Sequence, residues 1–168
     1  DIDEAIISDS AITYLEGYLW DPELAKLAFR KAAKTAESAG RMVSLSLSDS
    51  FCVDRHRDEF LDFVKNHVNI LFANEEEIKS LYQLKDFGSA LQAVRGDCDI
   101  AALTRGGKGS VVVRGDEVHV VNAEPVDEVI DTTGAGDAYA AGFLHGLTTN
   151  RSLDTCARMG GICSAEII

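Results

Sequence analysis

Short apolar runs alternate with amphipathic stretches along much of the chain, and this alternation restricts the fold more than any other feature. The apolar runs predict buried strands over residues 11–15, 42–47, 69–73 and 100–104. The stretches between them have apolar residues at helical spacing and predict helices over residues 22–39, 54–67, 75–83 and 87–94. Strands that are joined through helices run parallel and are covered on both faces. The pattern therefore predicts an α/β protein with three layers, α/β/α.

Capping residues and apolar spacing define the first of these helices in more detail. Asp21 is expected to cap its free amide groups, and Pro22 is expected to be its first residue. Gly40 is expected to end it. The residues predicted to face the sheet are Leu24, Leu27, Ala28, Ala32, Ala36 and Ala39.

The rhythm of the sequence changes after the fourth predicted strand. Two apolar segments, 110–113 and 118–121, flank the turn Arg114-Gly115-Asp116-Glu117, which predicts an antiparallel hairpin near the C-terminal side. Helices are predicted over residues 135–147 and 152–167. The sheet is therefore expected to be mostly parallel, with one antiparallel hairpin.

The chain has 168 residues, enough for one domain, and a formal net charge of −12. Such an acidic surface repels phosphate backbones and anionic lipids, so we expect neither nucleic acid nor membrane as a partner. The sequence contains no apolar run long enough to span a membrane and no recognisable signal peptide. The four cysteines lack metal-binding spacing, and we therefore expect reduced thiols in a cytoplasmic protein. Because the chain starts at Asp1 and stops inside an apolar stretch at Ile168, we expect a longer parent protein.

The segment Asp131-Thr132-Thr133-Gly134-Ala135-Gly136-Asp137 directly precedes the predicted helix 135–147. Its glycines leave the backbone uncovered, so that several N–H groups and the positive end of the helix can face one anion, such as a phosphate. A carboxylate at Asp137 would repel that phosphate unless it faces an acceptor hydroxyl, whose proton it can take. The alternative is a tight turn in which Asp137 is only a first-turn charge.

These seven residues, followed by a helix of small and aromatic residues, resemble the C-terminal signature of the ribokinase-like carbohydrate kinases, the PfkB family. Members use ATP and Mg²⁺ to phosphorylate hydroxyl groups of sugars and nucleosides. The resemblance implies that Asp137 is the catalytic base and that the anion hole consists of Gly134, Ala135 and Gly136. It also matches Asp131 and Thr133 to positions at which many members bind a monovalent cation, often K⁺.

A second polar motif, Asn74-Glu75-Glu76-Glu77, follows the predicted strand 69–73. Acidic residues at a strand end can hold Mg²⁺, directly or through water. The alternative is a helix start, with Asn74 as its cap and the glutamates complementing the helix dipole. The motif is similar to the family's Asn-x-x-Glu element, which implies a double role: Asn74 beside the phosphates and Glu77 at the metal.

A third motif, Thr104-Arg105-Gly106-Gly107-Lys108-Gly109, follows the predicted strand 100–104. It is not a Walker A loop, because Lys108 is followed by glycine instead of serine or threonine. It resembles the family's nucleotide-contacting Thr-x-Gly-x-x-Gly, which assigns Thr104, Gly106 and Gly109 to the cofactor. The alternative is a loop that only enters the hairpin.

The resemblance covers nearly the whole chain, in order, and is strongest to the adenosine-kinase branch. It implies a ribokinase-like (Rossmann-like) fold in which residues 1–168 are the nucleotide-binding and catalytic part of one domain truncated at both ends. We therefore predict an ATP-dependent kinase that phosphorylates a small-molecule nucleoside (adenosine-like) or sugar. The prediction allows a homodimer, and the isolated fragment is expected to be poorly active. The alternative is a non-catalytic nucleotide-binding module. A dehydrogenase is not expected, because it would need a Gly-x-Gly-x-x-Gly motif directly after the first strand, and the sequence has none there.

Overall fold

The computed structural model of the chain describes residues 2–168 and contains a six-stranded sheet whose strands follow one another in chain order. The strands are β1 (Ile12–Glu16), β2 (Met42–Ser46), β3 (Ile70–Asn74), β4 (Ile100–Thr104), β5 (Ser110–Arg114) and β6 (Glu117–Val121). Strands β1 to β4 pair in parallel, and β5 and β6 are added antiparallel to them. The predicted mostly parallel sheet with an antiparallel hairpin is confirmed.

Seven helices accompany the sheet within residues 2–168. They are α1 (Glu4–Asp9), α2 (Glu23–Ser38), α3 (Ser50–His67), α4 (Glu75–Tyr82), α5 (Phe87–Val94), α6 (Ala135–Thr148) and α7 (Leu153–Ala165). Single 3₁₀ turns follow β1 (Gly17–Trp20) and β4 (Gly106–Lys108). The sequence did not predict α1, which buries only Ile7 and therefore has no apolar stripe. None of these helices combines the length and the apolar character needed to cross a membrane.

The alternation of side chains along the strands produces two cores, one on each face of the sheet. On one face, Leu45, Leu71 and Leu103 pack against helices α2 to α5, which contribute large side chains such as Phe60 and Phe63. On the other face, the strand residues that are buried against α6 and α7 are Ile70, Phe72, Ile100, Ala102 and Val112. The predicted α/β/α layering is confirmed.

The predicted start and buried stripe of α2 are partly wrong. Asp21 does not cap the helix, because its carboxylate accepts hydrogen bonds from Arg55 and contacts His56 at 2.8 Å. Pro22 lies just before the helix, without a capping side chain. Leu24 and Leu27 are 80% and 62% exposed, and Ala39 is exposed as well. The face that packs inward is set by Lys26, Phe29, Ala32, Ala33 and Ala36.

Helix α3 begins four residues earlier than the sequence predicted. The carboxylate of Asp49 accepts hydrogen bonds from the amides of Phe51 and Cys52, which caps the helix at its observed start. The backbone leaves helical geometry at His56, so the segment consists of two helical parts across a kink. The apolar spacing from residue 60 onward predicted only the second part.

Candidate active site

The carboxyl ends of the parallel strands bring polar residues together at one edge of the sheet. Register pairs Glu16 of β1 with Ser46 of β2, and it pairs Asn74 of β3 with Thr104 of β4. Two of the residues that the sequence assigned to the nucleotide and its metal are therefore direct neighbours. Ligands of open parallel sheets bind at this edge, which makes it the candidate active site.

The segment Asp131–Asp137 forms the entry to α6. Gly134 stands before the first turn with a left-handed φ of 79°, and a Cβ there would approach no closer than 3.6 Å to its surroundings, so backbone geometry, not space, is what favours glycine. Among residues 2–168 no side chain caps this helix or α2, whereas α3, α4, α5 and α7 are capped by Asp49, Asn74, Asp86 and Ser152. The free amides of the first turn are therefore available to a ligand.

One of the three predicted anion-hole amides is already used inside the protein. The N–H of Ala135 donates to the carbonyl of Thr132 at 3.1 Å, which closes the turn before α6. Gly136 has open space around its Cα, since a Cβ there would meet no atom within 4 Å. The amide N–H groups of the first turn beyond Ala135, with the positive end of the helix, can still face an anion.

Asp137 lies exposed in the first turn of α6 and points to the end of β1. Its Oδ1 accepts a hydrogen bond from the hydroxyl of Tyr14 at 3.2 Å, and the same hydroxyl lies 3.0 Å from Oε2 of Glu16. Asp137 forms no ion pair among residues 2–168. An exposed carboxylate without a cation partner is free to accept a proton from a substrate hydroxyl.

Tyr14 was not among the predicted site residues, whereas Glu16, at the end of the first predicted strand, was expected to line the site without an assigned role. Burial, together with the negative charges of Asp137 and Glu77, raises the pKa of Glu16 to about 7. The carboxylates of Glu16 on β1 and Asp137 on α6 thus meet at the hydroxyl of Tyr14. Burial and the charge of Glu16 raise the pKa of the Tyr14 hydroxyl, which keeps it protonated and able to donate. The signal in the sequence was the alternation of β1, which places both side chains on one face.

The motif Asn74–Glu77 forms a complete capping box at the start of α4. Oδ1 of Asn74 accepts from the amides of Glu76 and Glu77, and Oε2 of Glu77 accepts from the amide of Asn74. The Asn74 side chain also donates to Oε1 of Glu77 at 2.7 Å. Burial raises the pKa of Glu77 to about 7. The helix-start alternative is therefore correct as geometry, and the metal role of Glu77 stays a prediction.

The loop after β4 is held against α4. Arg105 donates to Oε2 of Glu75 at 2.9 Å, and its guanidinium lies 4.1 Å from the centre of the Phe87 ring. Gly109 has a φ of 84°, and a Cβ there would come within 2.0 Å of the Val121 carbonyl oxygen. Gly106 has a φ of 54° but faces open space. Gly109 is thus required by packing, whereas Gly106 leaves the loop open toward a ligand.

Asp131 and Thr133 form a local turn. Oδ1 of Asp131 accepts from both the amide and the hydroxyl of Thr133, at 2.9 and 2.7 Å. These hydrogen bonds lower the pKa of Asp131. The turn brings the two residues together, and their role toward a monovalent cation stays a prediction.

The family model described as pfkB family carbohydrate kinase matches residues 1–168. The chain belongs to the pfkB family of carbohydrate kinases. The predicted family and the predicted ribokinase-like fold are confirmed. Among solved structures, the adenosine kinase of Sinorhizobium meliloti is similar at 48% identity and a TM-score of 0.95, with 98% of this chain and 50% of that one covered.

Two further proteins are similar to this pfkB family member. The cytidine kinase of Thermococcus kodakarensis is 35% identical over 115 residues, which are 67% of this chain and 41% of that kinase. A protein of Escherichia coli solved in complex with ATP and Mg²⁺ shares the fold at a TM-score of 0.88 and 21% identity, with 98% of this chain and 54% of that one covered. The chain thus spans about half the length of the relatives it matches.

Proposed function

We propose that the chain is the nucleotide-binding and catalytic part of an ATP-dependent kinase that phosphorylates a hydroxyl of a nucleoside. The observation that carries the proposal is the uncapped start of α6, where free amide groups and the Asp137 carboxylate face the same edge of the sheet. An anion hole and a neighbouring base are two of the parts that phosphoryl transfer to an alcohol needs. The similarity to adenosine and cytidine kinases supports the same activity.

Each assigned residue then has one task. Asp137 takes the proton of the acceptor hydroxyl as the hydroxyl oxygen bonds to the γ-phosphorus and ADP leaves. The backbone N–H groups of the first turn beyond Ala135, beginning with Gly136, stabilise the charge on the transferred group. The residues proposed to contact the nucleotide are Asn74, Thr104, Gly106 and Gly109.

The residues present fit ATP and Mg²⁺. The open surroundings of Gly106 and Gly136 leave room for phosphates beside the backbone. Asn74 and Glu77 offer the oxygen ligands that Mg²⁺ prefers, and because Asn74 already occupies both carboxylate oxygens of Glu77, binding through water fits best. Bound Mg²⁺ would neutralise charge on the phosphates. We also propose that Asp131 and Thr133 bind K⁺. The proposal further includes a cytoplasmic location and a homodimer.

Phe51 favours a nucleoside over a free sugar. It is 73% exposed, and it lies in the first turn of α3, directly beyond the carboxyl end of β2. Because β2 is the neighbour of β1, this aromatic ring stands at the same edge as Glu16. An exposed ring at a substrate edge suits the apolar face of a nucleobase, on which such rings stack.

The test is phosphorylation by the intact kinase that contains this chain. MgATP is supplied with a panel of nucleosides and of free pentoses and hexoses, and ADP release and product mass are followed. We expect ADP release with at least one nucleoside. The Phe51→Ala variant is expected to have a higher KM for that nucleoside and an unchanged KM for any sugar that also reacts. ATP binding without turnover on any acceptor would instead support the non-catalytic alternative.

A further inference from the structure

Tyr14 connects the edge strand β1 to the start of α6. Its ring packs against Phe72 of β3, with the ring centres 6.4 Å apart and the planes tilted by 55°. The hydroxyl extends beyond this contact to the carboxyl edge, where it reaches Asp137. The Tyr14 ring, which is packed on the sheet, thus places its hydroxyl group beside Asp137. Without this contact the Asp137 side chain would rotate freely in an exposed helical turn.

The hydroxyl of Tyr14 has one proton and two carboxylate neighbours. Oε2 of Glu16 lies at 3.0 Å and Oδ1 of Asp137 at 3.2 Å, so a single proton serves both oxygens. The contact uses Oδ1 of Asp137, and Oδ2 accepts no hydrogen bond from residues 2–168, so that it can face an acceptor hydroxyl. The orientation of the base is therefore set from β1, by a residue that does not have to touch the substrate.

We propose that Tyr14 is a positioning residue for the Asp137 carboxylate, which it holds by one oxygen so that the other faces the acceptor. This inference rests on the proposed function, because it assigns Tyr14 a task only if Asp137 is the base. Correct positioning of a base affects the rate of the chemical step more than the binding of substrates. Loss of the hydroxyl is therefore expected to lower kcat and to leave KM for ATP unchanged.

A structural role would have a different signature. Asp137 is exposed and Tyr14 keeps 36% of its surface accessible, and the ring contact with Phe72 does not need the hydroxyl. Tyr14→Phe is therefore expected to fold normally, with little change in melting temperature. A matched control is Tyr82→Phe, which removes a tyrosine–carboxylate hydrogen bond to Asp97, close to the amino end of β4 and away from the site.

The experiment is a double-mutant cycle in the intact kinase, with turnover followed by transfer from radiolabelled ATP to the best nucleoside. Tyr14→Phe is expected to lower kcat about tenfold, with KM for ATP within about twofold of wild type. In the Asp137→Asn background the same change is expected to have no further effect, because the group it positions is already lost. Tyr82→Phe is expected to keep wild-type kcat.

The outcomes separate the inference from the proposed function. Wild-type turnover that falls by about a hundredfold or more in Asp137→Asn supports the proposed function, whatever Tyr14→Phe does. An equal fall in kcat in both backgrounds, or wild-type kcat in Tyr14→Phe, overturns the positioning role alone. A wild-type kinase with no turnover on any acceptor overturns both.

Discussion

Replacement of Asn74 separates the capping role of this residue from its contact with the buried Glu77. In Asn74→Ala, the amides of Glu76 and Glu77 lose their acceptor, a loss that costs about 1 kcal/mol at a helix start. Above about pH 7, where Glu77 is ionised, its carboxylate also loses the 2.7 Å donor on its Oε1, and a hydrogen bond to a charged group contributes about 2 kcal/mol. The expected decrease in the free energy of unfolding is therefore about 3 kcal/mol.

Asn74→Asp is the matched variant, because it keeps an acceptor for the two amides but replaces the donor with a second carboxylate oxygen. Its defect is expected to shrink as the pH falls from about 8 to about 5, because protonation of Glu77 removes the repulsion between the two carboxylates. Urea denaturation of the intact kinase, followed by circular dichroism in a chelating buffer, measures both variants. Losses below about 1 kcal/mol in both variants, or a pH-independent defect in Asn74→Asp, would refute the reasoning.

Two further predictions concern stability. Gly109→Ala would push a methyl group against the Val121 carbonyl and is expected to lower the free energy of unfolding by about 3 kcal/mol or more. Gly106→Ala meets only the strain of its positive φ and is expected to lower it by about 1 kcal/mol. Equal melting temperatures for the two variants would contradict the packing argument. The pKa of Glu77 is about 7 in the folded protein and about 4.3 in an unfolded chain, so its stabilising contribution is complete below about pH 4 and is lost as the pH rises through 7. The urea midpoint of the metal-free protein should therefore fall over that pH range, and the fall should be smaller in Glu77→Gln. Parallel curves of urea midpoint against pH for the two proteins would contradict this prediction.

The order and type of the main elements could be predicted because each strand is a short apolar run between amphipathic segments. The runs that begin near Ile70 and Ile100 became strands within one residue of the predicted bounds. Asp21 shows where local rules fail. It has the right position and chemistry for a helix cap, but Arg55 and His56, more than thirty residues away, bind its carboxylate instead. No local pattern contains such a tertiary competition.

The site was predicted as far as its motifs are contiguous in sequence. Asn74 and Thr104 end neighbouring parallel strands, so their proximity follows from topology. The contact between Tyr14 and Asp137 joins residues 123 positions apart, and only the packing of α6 on the sheet brings them together. For the same reason the sequence did not reveal that Glu16 is half-buried near Asp137, where burial and the neighbouring negative charge raise its pKa.

The central claim is that the Asp137 carboxylate removes the proton of the acceptor at the start of α6. Asp137→Asn in the intact kinase tests it most directly, because the amide keeps the size of the side chain but cannot take a proton. We expect kcat to fall by about a hundredfold or more, while the Kd for ATP, measured by calorimetry, stays within about twofold of wild type. Turnover within about threefold of wild type would contradict the account.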